Sequence, residues 1–75
     1  MKAYILVSCG KGKETDIFEK LQSYDEVIGS HMVFGEWDIM LKVHVSEPEE
    51  LGTFVVDKIR PLTGVTLTST LIIAR

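Results

Sequence analysis

The sequence predicts an α+β domain, a four-stranded antiparallel sheet with two helices on one face, in the ferredoxin-like order βαββαβ. Four segments alternate with the twofold period of strands, and two show the three-to-four-residue apolar recurrence of helices. Glycine and proline punctuate the junctions between them. A chain of 75 residues also excludes a second domain, so 1–75 is expected to be one unit.

The first element runs from Lys2 to Cys9, where Ala3, Ile5, Val7 and Cys9 alternate with Tyr4, Leu6 and Ser8. Apolar residues fall on both faces, as in a strand covered on both sides. Gly10 and Gly12 around Lys11 supply a turn, after which Ile17, Phe18, Leu21 and Tyr24 mark one face of a helix. Glu14 and Asp16 lie in its first turn, where the macrodipole favours negative charge. Val27 to Phe34, the turn Gly35-Glu36-Trp37-Asp38 and Ile39 to Val45 read as a hairpin. Its second strand directs Ile39, Leu41, Val43 and Val45 to the core and Asp38, Met40, Lys42 and His44 away from it.

Ser46 and Glu49 have the spacing of a capping box, and Pro48 falls in the first turn of the helix that follows. Leu51, Phe54, Val55 and Ile59 keep the helical period until Arg60-Pro61 stops it before a Thr63-Gly64 turn. The last strand is expected from Val65 to about Ala74, with Val65, Leu67, Leu71 and Ile73 alternating against Thr66, Thr68, Thr70 and Ile72.

Right-handed crossovers put both helices on the same side of the sheet and leave the other side open. Tyr4, Leu6, Met40, Lys42, His44, Thr66, Thr68, Thr70 and Ile72 are expected on that open side, a set too apolar for solvent alone. A partner sheet should cover it, so the chain is expected to be a homo-oligomer, a dimer or a ring of dimers, with Leu6, Met40, His44 and Ile72 as interface candidates. Size points the same way, since a domain this small buries only roughly 60% of its unfolded surface. Its one cysteine excludes an internal disulfide.

Eight Lys and Arg against eleven Asp and Glu give a net charge of −3. The lysines are scattered among carboxylates, which argues against direct nucleic-acid binding. No apolar run approaches the roughly 20 residues of a membrane span, and the N-terminal stretch is too short for a signal peptide, so a cytoplasmic address is expected. Cys9, His31 and His44 fall on three different strands without ligand spacing, so no metal is expected. Cys9-Gly-Lys-Gly-Lys13 precedes a helix but lacks the GxxxxGK[ST] spacing of a phosphate cradle. Glu47, Glu49 and Glu50 read as a solvated helix start. No serine elbow and no Cys-His pair offers a nucleophile, so no catalytic residue and no cofactor is expected.

Two features stand out from this plain background. Gly35-Glu36-Trp37-Asp38 puts a large aromatic and a carboxylate at a hairpin tip, where small residues are commoner. Thr66, Thr68 and Thr70 line up hydroxyls along one face of the last strand. With the stretch LGTFVVDKIRPLTGV and the ending TLTSTLIIAR, these features make the whole chain resemble the C-terminal domain, or RAM domain, of the Lrp/AsnC family of transcription regulators. Family members show a G-x-[YF]-D hairpin, a helix bearing FV and KI pairs before a GV turn, and a T-x-T pair in the last strand. Here these are Gly35 to Asp38, Phe54-Val55 with Lys58-Ile59 and Gly64-Val65, and Thr68-Ser69-Thr70.

The resemblance implies a ligand-sensing and oligomerising module without a catalytic centre, in which an amino acid binds at contacts between dimers and shifts assembly. It implies Gly35, Trp37, Asp38, Thr68 and Thr70 as pocket residues. A carboxylate there would accept from an α-ammonium, while hydroxyls and turn N–H groups would donate to an α-carboxylate. Trp37 stands where Tyr or Phe is usual in the family, and Phe34 where many members have a small polar residue. Family regulators also carry an N-terminal helix-turn-helix domain, whereas this chain opens on its first strand. The resemblance therefore implies a stand-alone effector domain that acts through mixed assembly with full-length regulators. Two other readings stay open: a ligand-free adaptor whose Phe34 and Trp37 fill the pocket, and a small dimeric α+β-barrel enzyme. The second would need a polar constellation where the inward positions are Ile, Leu and Val.

Overall fold

A computed structural model describes residues 1–75. The elements are β1 (Lys2–Cys9), α1 (Glu14–Gln22), β2 (Val27–Met32), β3 (Ile39–His44), α2 (Pro48–Phe54) and β4 (Val65–Ile72). The strands form one antiparallel sheet in the order β2-β3-β1-β4, the ferredoxin-like arrangement. Central β1 has a strand on each side and helices over one face. Its Ala3, Ile5 and Val7 are fully buried, paired with Val43, Leu41 and Ile39 of β3. Ile17 and Leu21 of α1, together with Leu51, Phe54, Val55 and Ile59, close this core of 13 apolar residues, which contains no buried polar side chain.

The second helix differs from its expected form at both ends. Its N-cap is Glu47, not Ser46, in extended backbone at φ −139° and ψ 154°. Pro48 is the reason, since a residue preceding proline is excluded from helical backbone, so the helix starts one residue later. Glu50, not Glu49, then reaches back and accepts the Ser46 N–H at 3.1 Å. Beyond Phe54 the helix widens into a π turn over Val55–Ile59, closed by the Arg60 N–H on the Val55 carbonyl at 2.9 Å. The core requires it. At about 100° per residue, an unbroken α-helix would carry Ile59 about 80° past Leu51. The wider turn takes up that offset, and Ile59 is fully buried.

The last strand corrects the expected faces. Residues opposite each other in an antiparallel pair share a face, and β1 pairs Ala3 with Ile72, Ile5 with Thr70 and Val7 with Thr68. Thr68, Thr70 and Ile72 therefore sit on the helix-bearing side, and Leu67, Ser69 and Leu71 join Ser8, Leu6 and Tyr4 on the open side. A bulge is the cause. Between Ser8 and Cys9 the partner jumps from Leu67 to Val65, leaving Thr66 as the extra residue with its hydroxyl donating to the Ser8 carbonyl at 3.1 Å. One inserted residue reverses every side chain beyond it. The strand also ends at Ile72 rather than Ala74, and β2 ends at Met32 rather than Phe34.

The open face thus carries Met40 beside Leu6, Lys42 beside Tyr4, and the exposed Leu67 and Leu71 at the β4 edge. Lys42 Nζ lies 5.7 Å from the Tyr4 ring centroid. His31 extends the Met40 row, and exposed His44 pairs with Lys2 at the margin.

Candidate functional site

The loop from 33 to 38 is fastened at its base. The Val33 N–H donates to the Asp38 carbonyl at 2.9 Å, and the Asp38 N–H donates to the Val7 carbonyl at 3.0 Å. Asp38 Oδ2 accepts the Cys9 N–H at 2.7 Å, tying the loop to the end of β1. The other carboxylate oxygen accepts no hydrogen bond from the protein. Gly35 has φ +132°, a conformation that only glycine adopts cheaply, and it lets the chain reverse at the tip. Phe34 is fully exposed, whereas Trp37 is half-buried. Burial, reinforced by the nearby charges of Asp38 and Glu14, pushes the Cys9 thiol up to about 11. The cysteine stays protonated and inert at neutral pH.

Beside this loop lies a hollow of about 320 Å³ lined by Glu14, Thr15, Met32, Val33, Phe34 and Asp38. Its apolar wall faces two carboxylates. Thr68 and Thr70 do not reach it. Thr68 borders a second hollow of about 250 Å³ with Arg60, Val65, Thr66 and Leu67. Thr70 borders a groove of about 290 Å³ between α2 and β4. Within one protomer, then, the expected pocket residues fall into two groups on either side of β1: Gly35, Trp37 and Asp38 in the loop, and Thr68 and Thr70 on the β4 edge.

Arg60 is the residue missed from the sequence. Its Nε donates to Thr68 Oγ1 at 3.4 Å, and it borders both β4 hollows. Its place before Pro61 makes it read as a helix stop, and only the π turn carries it beside β4.

The largest hollow, about 360 Å³, is acidic, with Glu26, Glu47, Glu49, Glu50 and Asp57 around Lys58. Lys58 acts there as a clamp. Its Nζ is 2.9 Å from Glu26 Oε2 and lies over the rings of Tyr24 at 5.3 Å and Phe54 at 5.9 Å. Tyr24 donates its hydroxyl to the Lys58 carbonyl at 2.9 Å. The Lys58 hydrogen bond holds the Glu26 carboxyl below the usual range, and the same bond raises the lysine. No group of three His, Cys, Asp or Glu is placed to hold a metal ion, and no helix is long and apolar enough to cross a membrane.

A helix-backed sheet with one open face and loop-bordered hollows has the build of a ligand-binding domain. The chain belongs to the Lrp/AsnC family of transcriptional regulators: the model of the Lrp/AsnC ligand binding domain matches residues 2–75. It is 39% identical over 59 residues to the uncharacterised HTH-type transcriptional regulator PH1916 of Pyrococcus horikoshii. That match covers 79% of this chain and 39% of the relative, and the chain spans about half the length of the curated relatives it matches. The crystal structure of FFRP-DM1 superposes with a TM-score of 0.91 at 36% identity over 96% of each chain. The transcriptional regulator NMB0573 of Neisseria meningitidis, solved as an L-Met complex, shares the fold. Its TM-score is 0.89 at 22% identity, covering 99% of this chain and 49% of that one. The named relatives are transcriptional regulators.

Proposed function

We propose that this chain is a cytoplasmic amino-acid-sensing and oligomerisation module. It changes transcription through mixed assembly with DNA-binding Lrp/AsnC members rather than by touching DNA itself. The observation that carries this reading is the hollow at the loop. There Asp38 keeps one unpaired carboxylate oxygen beside an apolar wall of Met32, Val33 and Phe34. A carboxylate suits an α-ammonium, and the apolar wall suits an uncharged side chain. Phe34 projects fully into solvent, a wall awaiting a neighbour. Thr68 and Thr70 lie across β1, so they complete the pocket from a second protomer, and Gly35 and Trp37 shape its rim. A ligand held between protomers stabilises the assembly by mass action. The neighbouring fold seen with L-Met supports an amino acid as the ligand class.

Assembly begins at the open sheet face. Leu6 and Met40 form its centre and His44 its margin. Ile72, turned toward the helices, joins the contact only through the β4 edge.

Calorimetry with the twenty amino acids, alongside light scattering, tests the proposal. At least one amino acid should bind and raise the assembled fraction, and Asp38→Asn should weaken it about tenfold or more, the value of a charge-assisted hydrogen bond. Thr68→Val should cost less, since it deletes one neutral donor. Absence of heat with all twenty rejects the sensing role.

A further inference from the structure

We infer that the open sheet face is coded by charge for a partner of opposite sign: the sheet of a different chain of this fold, bearing a carboxylate against Lys42, in preference to a second copy. This rests on the reading of the chain as a module of mixed assembly and names the chemistry that selects its partner. The charges of the chain are segregated. Its net charge is −3, yet none of its eleven Asp and Glu falls in a strand; all lie in the helices and the connections. The strands hold four basic side chains, Lys2, His31, Lys42 and His44. Register puts all four on the open face. Lys2 pairs with His44, Lys42 with Tyr4 and His31 with Met40, while the alternate residues Ala3, Leu41 and Val43 are buried against the helices. An acidic molecule thus presents a sheet whose only charged side chains are basic.

Lys42 decides what such a face accepts. It lies on β3, one of the two central strands, so a sheet laid over this face covers it, whereas Lys2 and His44 stay at the margin. Its Nζ is 5.7 Å from the Tyr4 ring centroid, which holds the ammonium over the sheet. Leu6 and Met40 beside it, with Leu67 and Leu71 toward the β4 edge, supply the apolar area that a second sheet needs. A covered ammonium loses its water and requires an anion in exchange. A copy of this chain brings only basic groups from its strands, so self-pairing leaves Lys42 uncompensated. A sheet with Asp or Glu at the contact supplies the missing charge-assisted hydrogen bond. Like charges penalise the copy and opposite charges admit the other chain, which discriminates between surfaces of the same shape.

Mixing the intact chains tests this, with an isotope-labelled Lys42→Glu copy as the acid-bearing sheet and native mass spectrometry to resolve the species. We expect the mixed dimer of wild type with Lys42→Glu to be about tenfold tighter than the wild-type dimer, the value of one charge-assisted hydrogen bond. Mixing with Lys42→Gln, which removes a charge and adds none, should gain less. Added salt should tighten the wild-type dimer and loosen the mixed one, since it screens repulsion in the first and attraction in the second. Lys2→Glu, at the exposed margin, should act in the same direction by a smaller factor, and it carries the test if circular dichroism shows that Lys42→Glu does not fold. A mixed dimer no tighter than the wild-type one, or a gain equalled by Lys42→Gln, overturns the inference and leaves mixed assembly standing, with a second copy as acceptable an occupant as any. Wild type that stays monomeric with every partner overturns it together with the assembly reading.

Discussion

At Asp38 one carboxylate oxygen accepts the Cys9 N–H at 2.7 Å while the other is free, so a single side chain both anchors the loop and offers a ligand acceptor. The two duties separate by substitution. Asp38→Ala leaves the Cys9 amide without its partner and should lower stability by about 1–3 kcal/mol. Asp38→Asn keeps an acceptor at that place and should lose much less. Urea denaturation of both variants checks this, and equal losses would show that the hydrogen bond does not hold the loop. At the clamp, Glu26 titrates below the usual carboxylate range when folded, so its contribution is complete above an ordinary carboxylate pKa of about 4.3. That contribution disappears as pH falls through the lower folded value. Lys58 is raised, so its share is present below the ordinary lysine pKa and is lost only as alkaline pH passes the folded value. Both shares are therefore flat across neutral pH. Thermal melts of Glu26→Gln against wild type should converge as the solution is acidified, the difference being small because the pair is solvent-screened.

The junction between α2 and β4 depends on Gly64. Its φ is +100°, its carbonyl accepts the Gly10 N–H at 2.7 Å, and a Cβ there would come within 2.8 Å of Lys13 Cβ and Cγ and 3.2 Å of Ile17 Cδ1. Gly64→Ala combines left-handed strain of about 1–2 kcal/mol with overpacking of similar size. A loss of at least about 2 kcal/mol is expected, roughly 10 °C in Tm for a domain of this length. Gly12 has φ +84° but open space around it, so Gly12→Ala should show the backbone component alone. Scanning calorimetry of the pair separates strain from collision. Equal losses would mean that Lys13 moves aside without cost.

The whole molecule has an open sheet face on which Tyr4, Leu6, Met40, Leu67 and Leu71 lack a covering layer within the chain. We expect light scattering at micromolar concentration to give at least twice the 8.4 kDa chain mass and Tm to rise with protein concentration. Met40→Lys, at the centre of that face, should shift the population toward monomer. A wild-type mass of 8.4 kDa would show that the face is stable in water.

The element order, the inward faces of β1 and β3, and the helix stripes were legible in the sequence because each is a local period imposed by one-sided burial. Ala3, Ile5 and Val7 and their partners Val43, Leu41 and Ile39 could not exchange faces without exposing the core. The match of the whole chain to one family was legible for the same reason, since turns and core positions recur in fixed order. Three features became visible only in the tertiary structure. Thr68, Thr70 and Ile72 changed face because the Thr66 bulge reverses parity, and an edge strand with apolar residues on both sides carries no pattern strong enough to reveal it. Arg60 came to the β4 edge because burying Ile59 required a π turn that no local propensity signals. Asp38 was committed to Cys9, 29 positions away in sequence, because the end of β1 needed an acceptor for its amide. Periodicity reports which side of an element is buried, whereas bulges, widened turns and long-range hydrogen bonds depend on what the rest of the chain brings alongside.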